Sequence, residues 1–103
     1  MTSTLITVAA TGAEAEKATV PALPVTLEEL TSQAVECQHA GAAVIHVHIR
    51  DDEAKPTLDV SRLKDTVAAL RDTTDLIVQL STGGAVSDGF DARLAVQIGR
   101  AHV

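Results

Sequence analysis

The chain has 103 residues, 46% of them hydrophobic and 21% charged, which is enough for one modest soluble domain with a small core. Its net charge is −6 and its eight Lys and Arg residues are scattered, which argues against a nucleic-acid or anionic-membrane surface. No apolar run approaches the ~20 residues needed to cross a bilayer. We therefore expect small molecules as partners.

Cysteine usage and the first residues of the chain bear on its compartment. Cys37 is the only cysteine, so an internal disulfide is excluded. Residues 1–12 have no charged start, no long apolar core and no small-residue cleavage site. These features predict a cytoplasmic protein, in which Cys37 is a small core residue.

The first predicted elements are a strand and a helix. Leu5–Ala10 is a short β-rich run closed by Thr-Gly, which predicts a strand followed by a loop. Thr26 and Glu29 form the capping box Thr-x-x-Glu, and apolar residues then recur at spacings of three and four until Gly41. A helix is therefore predicted over Leu27–Ala40.

The second predicted strand, Ala43–Ile49, contains two histidines among aliphatic residues. Alternate residues of a strand point to opposite faces, so His46 and His48 share one face while Ile45 and Val47 share the other. Two positions along a strand correspond to ~6.6 Å between Cα atoms. Both imidazoles can therefore converge on one ion.

A second helix is predicted at Ser61–Thr73 and a third strand at Leu76–Leu80, which runs into Ser81-Thr82-Gly83-Gly84. Strands that alternate with helices and have short connections predict parallel pairing through right-handed crossovers. Two architectures fit this order: an open doubly wound sheet, or part of an eight-stranded α/β barrel.

The two histidines are the main candidates for chemistry. They lie at the carboxyl end of a strand, where α/β enzymes place their active sites. A zinc site would need one more ligand and an open position. The alternative is a pair of ordinary core or surface histidines, but burial of two unpaired imidazoles would be costly.

Other candidates each have a functional and a structural interpretation. The turn Ser81–Gly84 could hold a carboxylate or phosphate, or be a plain tight turn. Glu14 could act as a base or bind a cationic substrate group, or be a solvated carboxylate. Arg50 and Asp51 could orient metal ligands, although an exposed ionic loop is slightly preferred. His39 is expected at the surface.

Several segments taken together resemble the β-keto acid cleavage enzymes. They occur in order and at near-family spacing over most of the chain up to Ala95, which makes the resemblance far more specific than any one motif. The segments are Thr11–Glu14, Leu23–Glu29, Ala40–Ala42, Ile45–Asp51 and Gln79–Gly84.

The resemblance implies a (β/α)8 TIM barrel with parallel strands, of which this chain supplies a β-α-β-α-β portion. It implies that His46 and His48 bind Zn²⁺ or another divalent metal together with a later glutamate, and that Glu14, Ser81 and Gly84 bind substrate. The implied reaction joins a 3-keto acid to acetyl-CoA and gives acetoacetate and a CoA thioester. Family members commonly form homo-oligomers.

A carboxylate such as Glu14 suits an ammonium group, so we expect an aminated substrate such as 3-keto-5-aminohexanoate, an intermediate of lysine fermentation. The implied third metal ligand and acid/base residues lie beyond this chain, and no catalytic residue is identified within it. The 103 residues alone are therefore expected to be inactive.

A complete barrel needs ~250 residues, so residues 1–95 are interpreted as the amino-terminal part of a barrel domain. Residues 96–103 do not resemble the family, and within them Ile98–Val103 looks like a translated sequencing adapter, which suggests a partly read gene. Open strand edges should also make the piece poorly stable. Continuation of the barrel reading frame in the source DNA would support truncation, whereas a natural stop codon would contradict it.

Two other functions remain open. An amidohydrolase-like metal-dependent barrel also uses His-x-His at a strand end, although there the motif usually belongs to the first strand. A small non-catalytic α/β domain with structural histidines is the other alternative.

Overall fold

The structure, a computed structural model, describes residues 3–83 and 88–100. Its elements follow the predicted alternation of strands and helices, with one short hairpin inserted after the second strand. In chain order they are β1 (Thr7–Val8), α1 (Leu27–His39), β2 (Val44–Val47), β3 (Ile49–Arg50), β4 (Pro56–Thr57), α2 (Val60–Thr73), β5 (Ile77–Leu80) and α3 (Phe90–Arg100).

Three strands form a parallel sheet in the order β1-β2-β5. Val44 on the central strand pairs with Thr7 on one side and Ile77 on the other, and His46 pairs with Gln79. The predicted α/β class with parallel strands is therefore confirmed. Three parallel strands in this order occur both in an open sheet and in part of a barrel.

The second predicted strand differs from the structure at its end. Its regular pairing stops at Val47, and Ile49 instead pairs antiparallel with Thr57 in the hairpin β3–β4. The first strand is also shorter than predicted, because only Thr7 and Val8 pair with β2. The hairpin bends the chain just after the histidines and places Arg50 in a buried position.

Helix α1 begins at the predicted capping box. Glu29 N donates to Thr26 Oγ1 over 3.1 Å, and Thr26 N donates to Glu29 Oε1 over 3.1 Å. Gly41 follows the C-cap with a φ of +114°, a left-handed conformation that glycine adopts without strain. The helix ends at His39, which is exposed as expected.

The core lies between the helices and one face of the sheet. Ile45, Leu70 and Ala34 are fully buried, and Val96 of α3 packs into the same cluster. Aliphatic residues fill this core as predicted, whereas Phe90 is 75% exposed. Cys37, predicted as a core residue, is only partly buried.

The predicted domain boundary at residues 95 and 96 falls within α3. Residues 101–103 of the predicted tail lie outside the described part of the chain, and the boundary stays a prediction. Among the residues that the structure describes, no helix has the length and apolar character needed to cross a membrane.

Candidate metal and substrate site

His46 and His48 lie side by side at the carboxyl end of β2. Their ring centroids are 5.0 Å apart and the ring planes meet at 64°, so the imidazoles touch edge to face. Both side chains are half-buried. Ile45, which precedes His46, and Val47, which lies between the two histidines, are buried on the other face of the sheet. The prediction that the two histidines share one face is confirmed.

Gln79 of β5 holds the ring of His46. The register places the two residues directly opposite each other, and His46 Nδ1 lies 2.7 Å from Gln79 Oε1. An amide oxygen only accepts hydrogen bonds, so this contact places a hydrogen of His46 on Nδ1. In the neutral tautomer with this hydrogen, the lone pair is on Nε2.

The surroundings of His48 favour its neutral form. Burial lowers the pKa of His48 most, followed by the nearby His46 and Arg50, while a backbone hydrogen bond at Gly83 acts in the opposite direction. A neutral imidazole carries the lone pair that a metal ion requires. His48 also lines a small cavity together with Ser81 and Gly83, which follow β5.

Two of the described side chains, His46 and His48, have the chemistry of metal ligands. Two imidazoles on one face are suitable donors for Zn²⁺, which usually binds nitrogen, sulfur or carboxylate ligands in fours. Within residues 3–83 and 88–100, no group of three or more His, Cys, Asp or Glu side chains is arranged to hold a metal. The donor set thus fits a divalent metal whose remaining ligands come from other residues or from substrate.

Arg50 connects the site to the loop after β1. Arg50 is 4% exposed, and its guanidinium donates to Gly12 O over 2.9 Å and to Ala15 O over 2.8 Å. Burial lowers the pKa of Arg50. The interpretation of this residue as part of an exposed ionic loop is wrong, because the β3–β4 hairpin turns its side chain inward under the loop.

In sequence, Glu14 lies between Gly12 and Ala15, whose carbonyl groups accept hydrogen bonds from Arg50. Its side chain is exposed and lines a cavity of about 650 Å³ with Lys17, Arg50 and Glu53. A neighbouring cavity of about 360 Å³ contacts both Arg50 and His48. Glu14 and His48 therefore line adjacent cavities that share Arg50, rather than one cavity.

Ser81 closes the turn after β5. Its backbone N–H donates to Val47 O over 3.3 Å, and its hydroxyl accepts a hydrogen bond from Gly83 N over 3.0 Å. Ser81 thus lies beside His48, and the two residues line the same small cavity. Gly84, the third predicted substrate contact, lies outside the described residues.

Gln79 and the buried position of Arg50 were missed by the sequence analysis. Gln79 could have been found, because it interrupts an aliphatic strand two positions before Ser81, on the same face as the histidines. The burial of Arg50 has no comparable local pattern. It depends on carbonyl groups 35 and 38 residues away along the chain.

Comparisons with known proteins give the family of the chain. A sequence model of the β-keto acid cleavage enzyme family matches residues 3–101. The 3-keto-5-aminohexanoate cleavage enzyme of Fusobacterium nucleatum is 44% identical over 87 residues, which cover 84% of this chain and 32% of that protein. The enzyme of the same name from Acetoanaerobium sticklandii is 42% identical over 95 residues, covering 91% of this chain and 35% of that protein.

A relative with a different substrate in its name also matches. The 3-oxoadipate:acetyl-CoA acetyltransferase of Cupriavidus necator is 33% identical over 86 residues, which cover 82% of this chain and 30% of that protein. The chain thus spans about a third of the length of the relatives it matches. Since the family match extends over nearly all of its residues, the chain belongs to the β-keto acid cleavage enzyme family.

Proposed function

We propose that this chain forms the metal-binding and part of the substrate-binding region of an enzyme that exchanges acyl groups between a β-keto acid and acetyl-CoA. The observation that carries the proposal is the pair of imidazoles at the end of β2, with ring centroids 5.0 Å apart on one face. Family membership supports this function over an amidohydrolase or a non-catalytic domain.

His46 and His48 would hold a divalent metal, for which Zn²⁺ is the best fit to imidazole donors. When bound, such an ion acts as a Lewis acid that polarises a keto oxygen. We propose that a glutamate outside the described residues supplies a third ligand. Since the described residues provide only two of the ligands, these 103 residues alone are expected to be inactive.

The proposed substrate contacts come from the turn after β5 and from the loop after β1. Ser81 would donate its hydroxyl to a substrate oxygen, and Gly84 would allow close approach of the backbone. Glu14 would bind a cationic group at the far end of the substrate, in the cavity next to that of His48. An aminated β-keto acid such as 3-keto-5-aminohexanoate has this arrangement of groups.

We further propose that the sheet is part of a TIM barrel. The face that carries His46 also carries Ile77, which is 64% exposed here, and further strands would cover this face in a closed barrel. Homo-oligomers, a cytoplasmic location and a role in lysine fermentation remain parts of the same proposal. No contact with nucleic acid is invoked.

An acyl-exchange assay on the intact protein tests the proposal. The metal is removed with a chelator and Zn²⁺ is restored, and acetoacetate formation from 3-keto-5-aminohexanoate and acetyl-CoA is measured, with 3-oxoadipate in parallel. We expect acetoacetate only when both acetyl-CoA and metal are present. Equal formation without metal, or none from either keto acid, would contradict the proposal.

A variant pair tests the substrate site separately. Ser81→Ala is expected to raise KM for the keto acid by several-fold, since a hydrogen bond is worth about 0.5–1.5 kcal/mol. Ser32→Ala is the matched control, because Ser32 is exposed on α1. An unchanged KM in Ser81→Ala would remove Ser81 from the substrate site.

A further inference from the structure

Gln79 is the polar side chain that most directly contacts the proposed metal site without being a suitable ligand. It lies on β5, at the register position opposite His46, and its Oε1 is 2.7 Å from His46 Nδ1. Its strand neighbours Val78 and Leu80 face the core on the other side of the sheet. Packing of the core therefore does not require a glutamine at this position.

The chemistry of the two groups assigns a direction to this hydrogen bond. A carbonyl oxygen accepts, so Nδ1 of His46 donates, and in the neutral ring, the form that binds a metal, Nε2 carries the lone pair. A histidine that binds a metal through one nitrogen usually donates its other N–H to an acceptor, which fixes the tautomer and the ring orientation. Gln79 occupies the place of such an acceptor.

We propose that Gln79 is a positioning residue that fixes the tautomer and orientation of His46 for metal binding through Nε2. The inference rests on the proposed metal-binding function and deepens it. Gln79 does not itself bind the metal or the substrate. It acts through the imidazole ring of His46.

The turn that follows β5 lies beside the other histidine. His48 lines a small cavity together with Ser81 and Gly83 of that turn. β5 and the turn after it thus flank both histidines, which project from β2. Because the partner of His46 is a side chain, its contribution can be removed by substitution while the turn beside His48 is retained.

Zinc affinity of the intact protein, measured by competition with a chromophoric chelator, tests the inference. Gln79→Leu removes the acceptor at similar size and is expected to weaken zinc binding by ~10–100-fold, the range for such outer partners of metal ligands. Gln79→Glu retains an acceptor oxygen and is expected to bind within a few-fold of wild type or more tightly. Gln33→Leu is the matched control, because Gln33 also makes one side-chain hydrogen bond, to Ala22 O, but lies on α1.

A nitrogen-15 NMR spectrum of the metal-free protein supplies a second measurement that does not depend on a variant or on a bound metal. The inference predicts a hydrogen on Nδ1 of His46, and a hydrogen on Nε2 instead would overturn it. Zinc affinity of Gln79→Leu equal to wild type would also overturn it. If wild type binds no zinc, the proposed metal site fails and the positioning role of Gln79 fails with it, whereas loss of zinc affinity in neither Gln79 variant, with zinc bound by wild type, would overturn the role of Gln79 alone.

Discussion

The two faces of the parallel sheet differ sharply although they belong to the same three strands. On one face, Ile45 and Val47 are 0% and 1% exposed and pack beneath the helices. On the other face, Ile77 is 64% exposed and lies on the same side as His46 and Gln79. The first face holds the fold together, and the second carries the polar groups of the proposed site.

This difference shows how a short strand serves two purposes. Alternation lets Val44–Val47 place aliphatic residues in the core without excluding histidine from the opposite face. A polar substitution on the site face therefore leaves the helix-covered core unchanged. The site can change its chemistry at little cost to the stability of this part of the chain.

The largest expected effect is on the free energy of unfolding, when an isoleucine is replaced by alanine on each face of the sheet in turn. Ile45→Ala removes a fully buried side chain and should lower the free energy of unfolding by about 2–5 kcal/mol. Ile77→Ala, on the exposed face, should change it by less than about 1 kcal/mol in the 103-residue chain. Urea unfolding of both variants measures the difference, and equal losses would contradict the assignment of the two faces.

The same two variants, Ile45→Ala and Ile77→Ala, also test the proposed barrel. In a longer protein whose further strands cover the site face, Ile77 becomes buried, and Ile77→Ala should then cost about 2–5 kcal/mol as well. A persistently small effect of Ile77→Ala in the intact protein would show that the site face stays uncovered and would contradict a closed barrel. Ile45→Ala serves as the internal reference in both proteins.

A smaller effect is expected outside the parallel sheet, at Arg50 in the β3–β4 hairpin. Arg50→Met removes the donors to Gly12 O and Ala15 O, and should destabilise the chain by about 1–3 kcal/mol. The loop after β1 should open more often, so trypsin should cleave faster after Lys17. Lys64→Met, on an exposed position of α2, is the control, and unchanged cleavage after Lys17 in Arg50→Met would contradict the account.

The smallest expected effect is a pH dependence far from the site face. A hydrogen bond from Lys17, followed by the backbone N–H of Thr26, lowers the pKa of Glu29 to about 2. Because the pKa of Glu29 is lower in the folded chain than in the unfolded chain, its stabilising effect is present above pH ~4.5. It is lost as the pH falls from about 5 towards 2.

Unfolding measured between pH 2 and 6 should therefore depend less on pH in Glu29→Gln than in wild type. Glu36→Gln, on an exposed position of the same helix, is the control. A Glu29→Gln profile that parallels the wild type would show that the Lys17–Glu29 ion pair does not persist in solution.

Local patterns predicted much of the fold. The capping box at Thr26 and Glu29 lies within one helical turn, so the start of α1 could be predicted from four residues. The shared face of His46 and His48 follows from strand geometry alone. These features depend on neighbours in sequence, which is why the structure agrees with them.

Long-range contacts explain what was missed. The β3–β4 hairpin depends on pairing of Ile49 with Thr57 across a short turn that has no strong hairpin motif. Burial of Arg50 depends on carbonyl groups of a distant loop. The partner of His46 depends on the register between β2 and β5, which only the assembled sheet defines.

The most direct test of the central claim is the metal content of the intact protein and of three histidine variants. We expect about one divalent metal per chain in wild type and in His39→Ala, because His39 is an exposed residue at the end of α1. His46→Ala and His48→Ala should each lose the metal while retaining their fold by circular dichroism. Metal retained in both variants, or absent from wild type, would contradict a metal site formed by the two imidazoles.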